Sequence, residues 1–208
     1  MDSFKPEHIK ITEDSYCSPD TETKFKKNFL IISGCSGSGK STLLQEIANR
    51  GFKIIHEPGR QVVKEQHYID GDALPWKDWQ KFIELTISRT MYQYNCMIDE
   101  DEIVFFDRAI IDQINWEDRI IEVPKHLMNA ALKYRFNEMV FMTPPWQEIY
   151  KNDNERKKTY DDALAGYHST VKMYERFGHK IILIPKINVS ERADFVIEMS
   201  KKSFVFKI

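Results

Sequence analysis

The chain is poor in cysteine, has no marked excess of either charge and contains no long hydrophobic run. Its three cysteines, Cys17, Cys35 and Cys96, show neither paired nor metal-ligand spacing. That argues against a disulfide framework and fits a reducing, intracellular setting. Thirty basic and 32 acidic residues leave a formal net charge of −2. A general nucleic-acid coat is therefore not expected, although a local basic patch is compatible with this balance. No apolar stretch approaches the roughly 18 residues of a membrane span. The opening Met1-Asp2-Ser3-Phe4-Lys5 lacks the apolar segment of a secretory signal, so a cytoplasmic location is expected. Neither internal repeats nor low-complexity tracts occur, and His126, His168 and His179 have no metal-ligand spacing. No guanine-reading Asn-Lys-x-Asp is present, which disfavours a GTPase.

What is present begins with Gly34-Cys35-Ser36-Gly37-Ser38-Gly39-Lys40-Ser41, a complete G-x-x-x-x-G-K-[ST] phosphate-binding loop. An apolar, partly β-branched run, Phe29 to Ser33, precedes it, and Thr42 to Ala48 opens a helix behind it. Strand, glycine loop and helix are the context this motif requires. Glycines let the backbone approach a ligand closely, successive N–H groups form an anion nest, and the helix N-terminus adds partial positive charge. Gly34 through Thr42 are thus expected to hold ATP. Lys40 would reach the β- and γ-phosphates, and the Ser41 hydroxyl would ligate Mg²⁺. Cys35 enters this set through its backbone, with no role for its thiol.

At 208 residues and 42% apolar content, one domain with a sizeable core is expected. Residues 1–24 are polar and carry Pro6 and Pro19. They read as a loosely held extension in which Ile9 to Ile11 could add an edge strand. The domain proper spans 25–208. Strands are expected at 29–33, 52–56, 103–107, 138–142 and 180–184, all buried. Helices are expected from 42 to Gly51, over 59–67, 75–98, 110–121, 124–136, 161–177 and 190–201, the last with Ser190 as N-cap. Trp76, Trp79, Phe82, Ile83 and Leu85 would form the apolar face of the long helix. The pattern predicts an α/β fold of the P-loop NTPase type. It has a five-stranded parallel sheet, helices on both faces and a lid segment at about 143–160. Ligands of such sheets bind at the carboxyl ends of the strands.

A second constellation falls at those ends. Asp107 closes the third strand in Walker-B fashion and would hold Mg²⁺, with Arg108 beside it as a phosphate clamp or a surface ion-pair partner. After the second strand comes His56-Glu57-Pro58-Gly59-Arg60. There Glu57 could take a proton from an attacking hydroxyl, and Arg60 could hold an acceptor anion or position Glu57. The alternative is a helix-start acid beside a solvated arginine. His56 reads as a packed strand histidine. Arg156, in the charged stretch 151–158, could close over the migrating phosphoryl group, its planar fork suiting phosphate oxygens better than the adjacent lysines. A solvated charged face is the other reading. Trp76, Trp79 and Tyr92 either line an acceptor pocket or belong to the core, and Trp116 and Arg119 are equally ambiguous.

With these residues assembled, the chain resembles the AAA-domain predicted-ATPase family that includes the ribosylnicotinamide kinase domain of NadR. The similarity covers about residues 28–200. It rests on Ile32 to Ser41, Glu57-Pro58-Gly59-Arg60, Phe106-Asp107-Arg108 and Asp153-Asn154-Glu155-Arg156, then on Tyr174 to Pro185 and Ser190-Glu191-Arg192-Ala193. Glu57-Pro58 and Asp107-Arg108 are also similar to the strand-two acid and acid–arginine motif of deoxynucleoside kinases, in which the acid acts as base. Ala109 departs from that motif, which has serine there. Only about 25 residues follow the fifth strand, too few for the helical lid domain of ring-forming AAA machines.

The resemblance implies kinase-like phosphoryl transfer from ATP·Mg²⁺, with the acceptor left open. The expected partners are ATP and a small molecule such as a nucleoside, nucleotide or cofactor precursor, with no membrane. Lys40, Glu57, Arg108 and Arg156 are the expected catalytic residues. Glu57, Arg60 and Arg108 would contact the acceptor, and Ser41 and Asp107 would hold the metal. A regulatory ATPase or nucleotide switch acting through a protein partner is the alternative, and a kinase-like toxin a third. A pure binding module would leave Glu57, Asp107 and Arg156 superfluous. Oligomeric state is not legible.

Overall fold

The computed structural model describes residues 24–115, 123–150 and 159–205. The described residues form seven strands and seven α-helices. The strands are β1 (Lys24–Phe25), β2 (Phe29–Gly34), β3 (Lys53–Ile55), β4 (Val104–Asp107), β5 (Tyr134–Arg135), β6 (Met139–Thr143) and β7 (Lys180–Leu183). The helices are α1 (Lys40–Asn49), α2 (Pro58–Tyr68), α3 (Trp79–Cys96), α4 (Ile110–Gln113), α5 (Lys125–Lys133), α6 (Tyr160–Arg176) and α7 (Val189–Val205). The main sheet has five strands in the order β3-β4-β2-β6-β7, every pair parallel. This is the five-stranded parallel sheet the apolar runs predict.

Strand alternation divides the core into two layers. Phe29, Ile31, Val104, Phe106, Val140 and Met142 point to the side covered by α3, α4, α5 and α6, where Ile83, Ile87, Tyr94, Ile110 and Tyr174 meet them. Leu30, Ile32, Phe105 and Phe141 point to the other side, against Leu43, Leu44 and Ile47 of α1 and Ala193 and Val196 of α7. Phe29 anchors an aromatic cluster, with ring centroids 4.9 Å from Tyr94 and 5.1 Å from Phe106. β2 is buried at all six positions because it is central, with β4 on one side and β6 on the other. Its carboxyl end, and the loop that follows, are therefore held on both flanks.

Several expectations change. β3 and β7 are not fully buried, because each is an edge strand with one paired neighbour. The long helix starts at Trp79, capped by Asp78, whose side chain accepts from the Lys81 N–H at 3.1 Å. Trp76 precedes it and is 63% exposed, and Leu85 is also exposed, so neither belongs to its buried face. α7 is capped by Asn188, which accepts from the Glu191 N–H at 3.0 Å, so Ser190 lies inside the helix. α6 begins one residue before the expected Asp161, with Thr159 and Asp162 bonded reciprocally as a capping box. α4 is a single turn that ends at Gln113, and residues 116–121 of its expected span, with Trp116 and Arg119, lie outside the described residues. The helix expected to reach 136 gives way at Tyr134 to β5, which pairs in parallel with β1 in a small second sheet. The strand expected at 9–11 and residues 151–158 of the lid expected at 143–160 also lie outside the described residues. Among the described residues, no helix is long and apolar enough to cross a membrane.

Candidate active site

The glycine loop leaves the carboxyl end of β2 and closes on α1. Gly34 has φ +131°, and a Cβ there would fall 2.2 Å from Thr143 Oγ1 and 2.3 Å from the Thr143 carbonyl oxygen. The last residue of β6 thus sits where any side chain at 34 would go. The Cys35 N–H donates to the Thr143 carbonyl at 3.0 Å. Ser38 Oγ lies 2.6 Å from both Thr143 Oγ1 and the Cys35 carbonyl, while Thr143 Oγ1 donates to the Ser33 carbonyl at 3.1 Å. Thr143 is the clamp that shapes the loop. Cys35 is buried; its thiol donates to the Ala163 carbonyl at 3.4 Å, and burial pushes its pKa up. It is a packed thiol, in keeping with a backbone-only role.

Lys40 is the first residue of α1 and Asp107 the last of β4. The β2–β4 register sets Asp107 opposite Ile32 at the base of the loop. The Lys40 ammonium and the Asp107 carboxylate form an ion pair with side chains only 9% and 11% exposed. Burial, with the nearby Arg108 cation, holds Lys40 below the ordinary lysine range, against the opposing pull of Asp107 and Glu57. Ser41 and Thr42 follow on the exposed side of the first turn.

Arg108 adopts φ +67°, a left-handed conformation a non-glycine residue enters at a cost. The turn swings its guanidinium back across the strand ends. Nε lies 3.3 Å from Glu57 Oε2, Nη1 donates to Asp112 Oδ1 at 3.0 Å, and Nη2 reaches the Gly34 carbonyl at 3.4 Å. Burial opposes this charge, but Glu57, Asp112 and Asp107 outweigh it and hold the Arg108 pKa above its ordinary value. Lys40, Glu57, Asp107 and Arg108 are thus brought together at the ends of β3, β4 and β2. Arg60 is exposed on the first turn of α2, and His56 is exposed beyond β3 rather than packed. Trp76 and Tyr92 are exposed, at 63% and 62%, and are not core residues. Arg156 lies outside the described residues.

Three residues of this site escaped the sequence reading. Thr143 is one. Asp112 is the second: its carboxylate, 3% exposed, takes donors on both oxygens. Oδ1 accepts from Arg108 and the Ser33 hydroxyl, and Oδ2 from the Ala109 N–H at 2.9 Å and the Tyr174 hydroxyl. The only signal in the sequence is an acid set in the apolar stretch after Arg108. An Asp112→Asn protein keeps the shape but turns an amide N–H₂ toward donors that need an acceptor. A loss of about 3 kcal/mol in urea unfolding is expected. The third is Arg192 on α7, which is 3% exposed and donates through Nη2 to the Ser38 carbonyl at 3.3 Å. Its sequence signal is an arginine at a position that the helical pattern assigns to the core.

The donor set suits magnesium. Mg²⁺ is held by one or two carboxylates, a hydroxyl and substrate phosphates rather than by an all-protein cage. Asp107 at the end of β4 and Ser41 in the first turn of α1 are the residues that would hold it. Among the described residues, no group of three or more His, Cys, Asp or Glu side chains is arranged to hold a metal.

Two of the solved structures that share this arrangement of strands and helices are a thymidylate kinase and NadR. Thymidylate kinase from Candida albicans superposes with a TM-score of 0.56 at 14% identity, covering 85% of this chain and 92% of that one. NadR, solved in complex with NR, gives a TM-score of 0.58 at 16% identity over 86% of this chain and 51% of its own. The chain thus spans about half the length of NadR. At such identities the likeness is one of fold. No curated protein matches the chain in sequence. The profile of the AAA domain family matches residues 29–192, and the chain belongs to that family.

Proposed function

We propose that the protein is a phosphotransferase that moves the γ-phosphate of ATP to a hydroxyl or phosphate group of a small acceptor, with Mg²⁺ as cofactor. The acceptor class is a nucleoside, nucleotide or cofactor precursor. The observation that carries this reading is the separation of two carboxylates at the strand ends. Asp107 stands at the loop, paired with Lys40, while Glu57 stands one strand further out at the end of β3, paired with Arg108. A nucleotide switch needs the first carboxylate. The second, on the side away from the loop and fixed by an arginine, has a use where a hydroxyl must lose a proton.

In this reading the loop N–H groups and Lys40 hold the phosphates. Mg²⁺, when bound by Ser41 and Asp107, would neutralise phosphate charge. Glu57 accepts the acceptor's proton as its oxygen attacks, and Arg108 moves from Glu57 toward the transferred group's oxygens. Arg156 is the residue proposed to close over them. Catalysis is then nearly all positioning and electrostatics.

The test is incubation with ATP·Mg²⁺ and a pooled library of nucleosides, nucleotides and cofactor precursors, read by mass spectrometry for the gain of one phosphate. A phosphorylated product is expected, and Glu57→Gln should form it about 10²–10⁴-fold more slowly. ADP release without any phosphorylated small molecule would instead favour an ATPase switch working through a protein partner.

A further inference from the structure

Arg192 carries a charge that the described part of the fold does not neutralise. Its side chain enters from the first turns of α7 and is 3% exposed. Nη2 donates to the Ser38 carbonyl at 3.3 Å, and Nη1 lies 3.0 Å from where a Cβ on Gly39 would stand. The guanidinium carbon is 5.6 Å from the centre of the Trp146 ring. Nε is buried with no hydrogen-bond partner, and burial alone lowers the group's pKa, with no carboxylate opposing it among the described residues. A buried cation in this state is costly, and the fold would be better served by a neutral side chain of similar volume. Its place suggests what offsets that cost. The Ser38 carbonyl belongs to the same peptide unit as the Gly39 N–H, one of the loop donors that would face a phosphate. A donor on the carbonyl fixes the plane of that peptide and strengthens its N–H by polarisation.

We propose that Arg192 is a positioning residue for the phosphates of a nucleoside di- or triphosphate. It acts from behind the loop through the Ser38–Gly39 peptide, and the bound polyphosphate supplies its missing counter-charge. The proposal rests on the reading of residues 34–41 as the nucleotide's phosphate site. It is distinct from a structural role, in which the arginine would stabilise the empty fold.

Arg192→Met and Arg192→Gln separate the two. Melting temperature without ligand, and calorimetric affinity for ADP·Mg²⁺ and for magnesium pyrophosphate, are measured on both and on the parent chain. Arg192→Met is expected to melt at or above the parent temperature while binding ADP and pyrophosphate at least tenfold more weakly. Arg192→Gln, which keeps a donor for Ser38 but not the charge, should lose affinity for both ligands to a smaller degree. If Arg192→Met fails to fold, Arg192→Gln decides: parental affinity there overturns the proposal. A lowered melting temperature with unchanged affinities would make Arg192 structural. Weakened ADP binding with unchanged pyrophosphate binding would assign it to the base. Either result overturns the proposal while leaving the phosphotransferase reading intact. A parent chain that binds neither ligand defeats both.

Discussion

Lys40→Ala should lower phosphoryl transfer by about a thousandfold or more, a loss on the order of 3–5 kcal/mol of transition-state stabilisation. In the reading advanced above, the lysine supplies the side-chain positive charge that follows the phosphates as they separate, and a neutral residue supplies none. The geometry adds a second expectation. Lys40 is the ion-pair partner of Asp107, and both side chains are about nine-tenths buried. Truncation removes the cation paired with that buried carboxylate, so the variant should also be less stable. Steady-state rates with a saturating acceptor, together with a urea titration, check both. A Lys40→Ala protein that folds and turns over at near-parental speed would remove this lysine from the chemistry.

Gly34→Ala should be the most damaging single change to the fold, costing more than about 4 kcal/mol and leaving little folded protein. The added methyl would meet Thr143 at three atoms: Oγ1 at 2.2 Å, O at 2.3 Å and N at 2.5 Å. Two of these are main chain, in a strand whose pairing with β2 cannot shift without breaking the register of the sheet. The φ of +131° adds strain for any residue with a Cβ. Gly166→Ala is the matched control. Nothing lies within 4 Å of a Cβ at that position on α6. Alanine there should therefore be neutral or stabilising by up to about 1 kcal/mol. Chemical denaturation of the pair checks the contrast. Comparable stability for the two would show that Thr143 yields more readily than the packing implies.

The central strands and the loop were legible because their signals are local. Phe29 to Ile32 is an unbroken apolar run, and the loop's fixed residues stand within eight positions. Edge elements were harder to read. β3 and β7 are buried less deeply, so the same apolar residues overstate their burial. Asn188 and Ser190 are both acceptable caps, and only the tertiary path of the chain chose the first. The two-residue strands β1 and β5 are too short to leave a periodicity. Within the site, Lys40, Glu57, Asp107 and Arg108 could be found because motif and strand end coincide. The roles of Asp112, Thr143 and Arg192 could not. Their roles lie in hydrogen bonds to partners 62, 105 and 154 residues away in sequence, and no local pattern encodes such a pairing.

The Thr143 clamp also bears on how the chain comes into being. The loop's eight residues precede the threonine that shapes it, which follows Ser38 by 105 residues. At about 5–20 residues per second the ribosome adds that stretch in roughly 5–20 s. During that interval the nascent chain carries the full phosphate-binding motif without the strand that gives it form. Arg192 arrives later still. A fragment ending before β6 would retain every letter of the motif and none of its shape. Nucleotide would therefore be expected to act on this protein near the end of its folding, as a ligand of the finished sheet rather than a template for it.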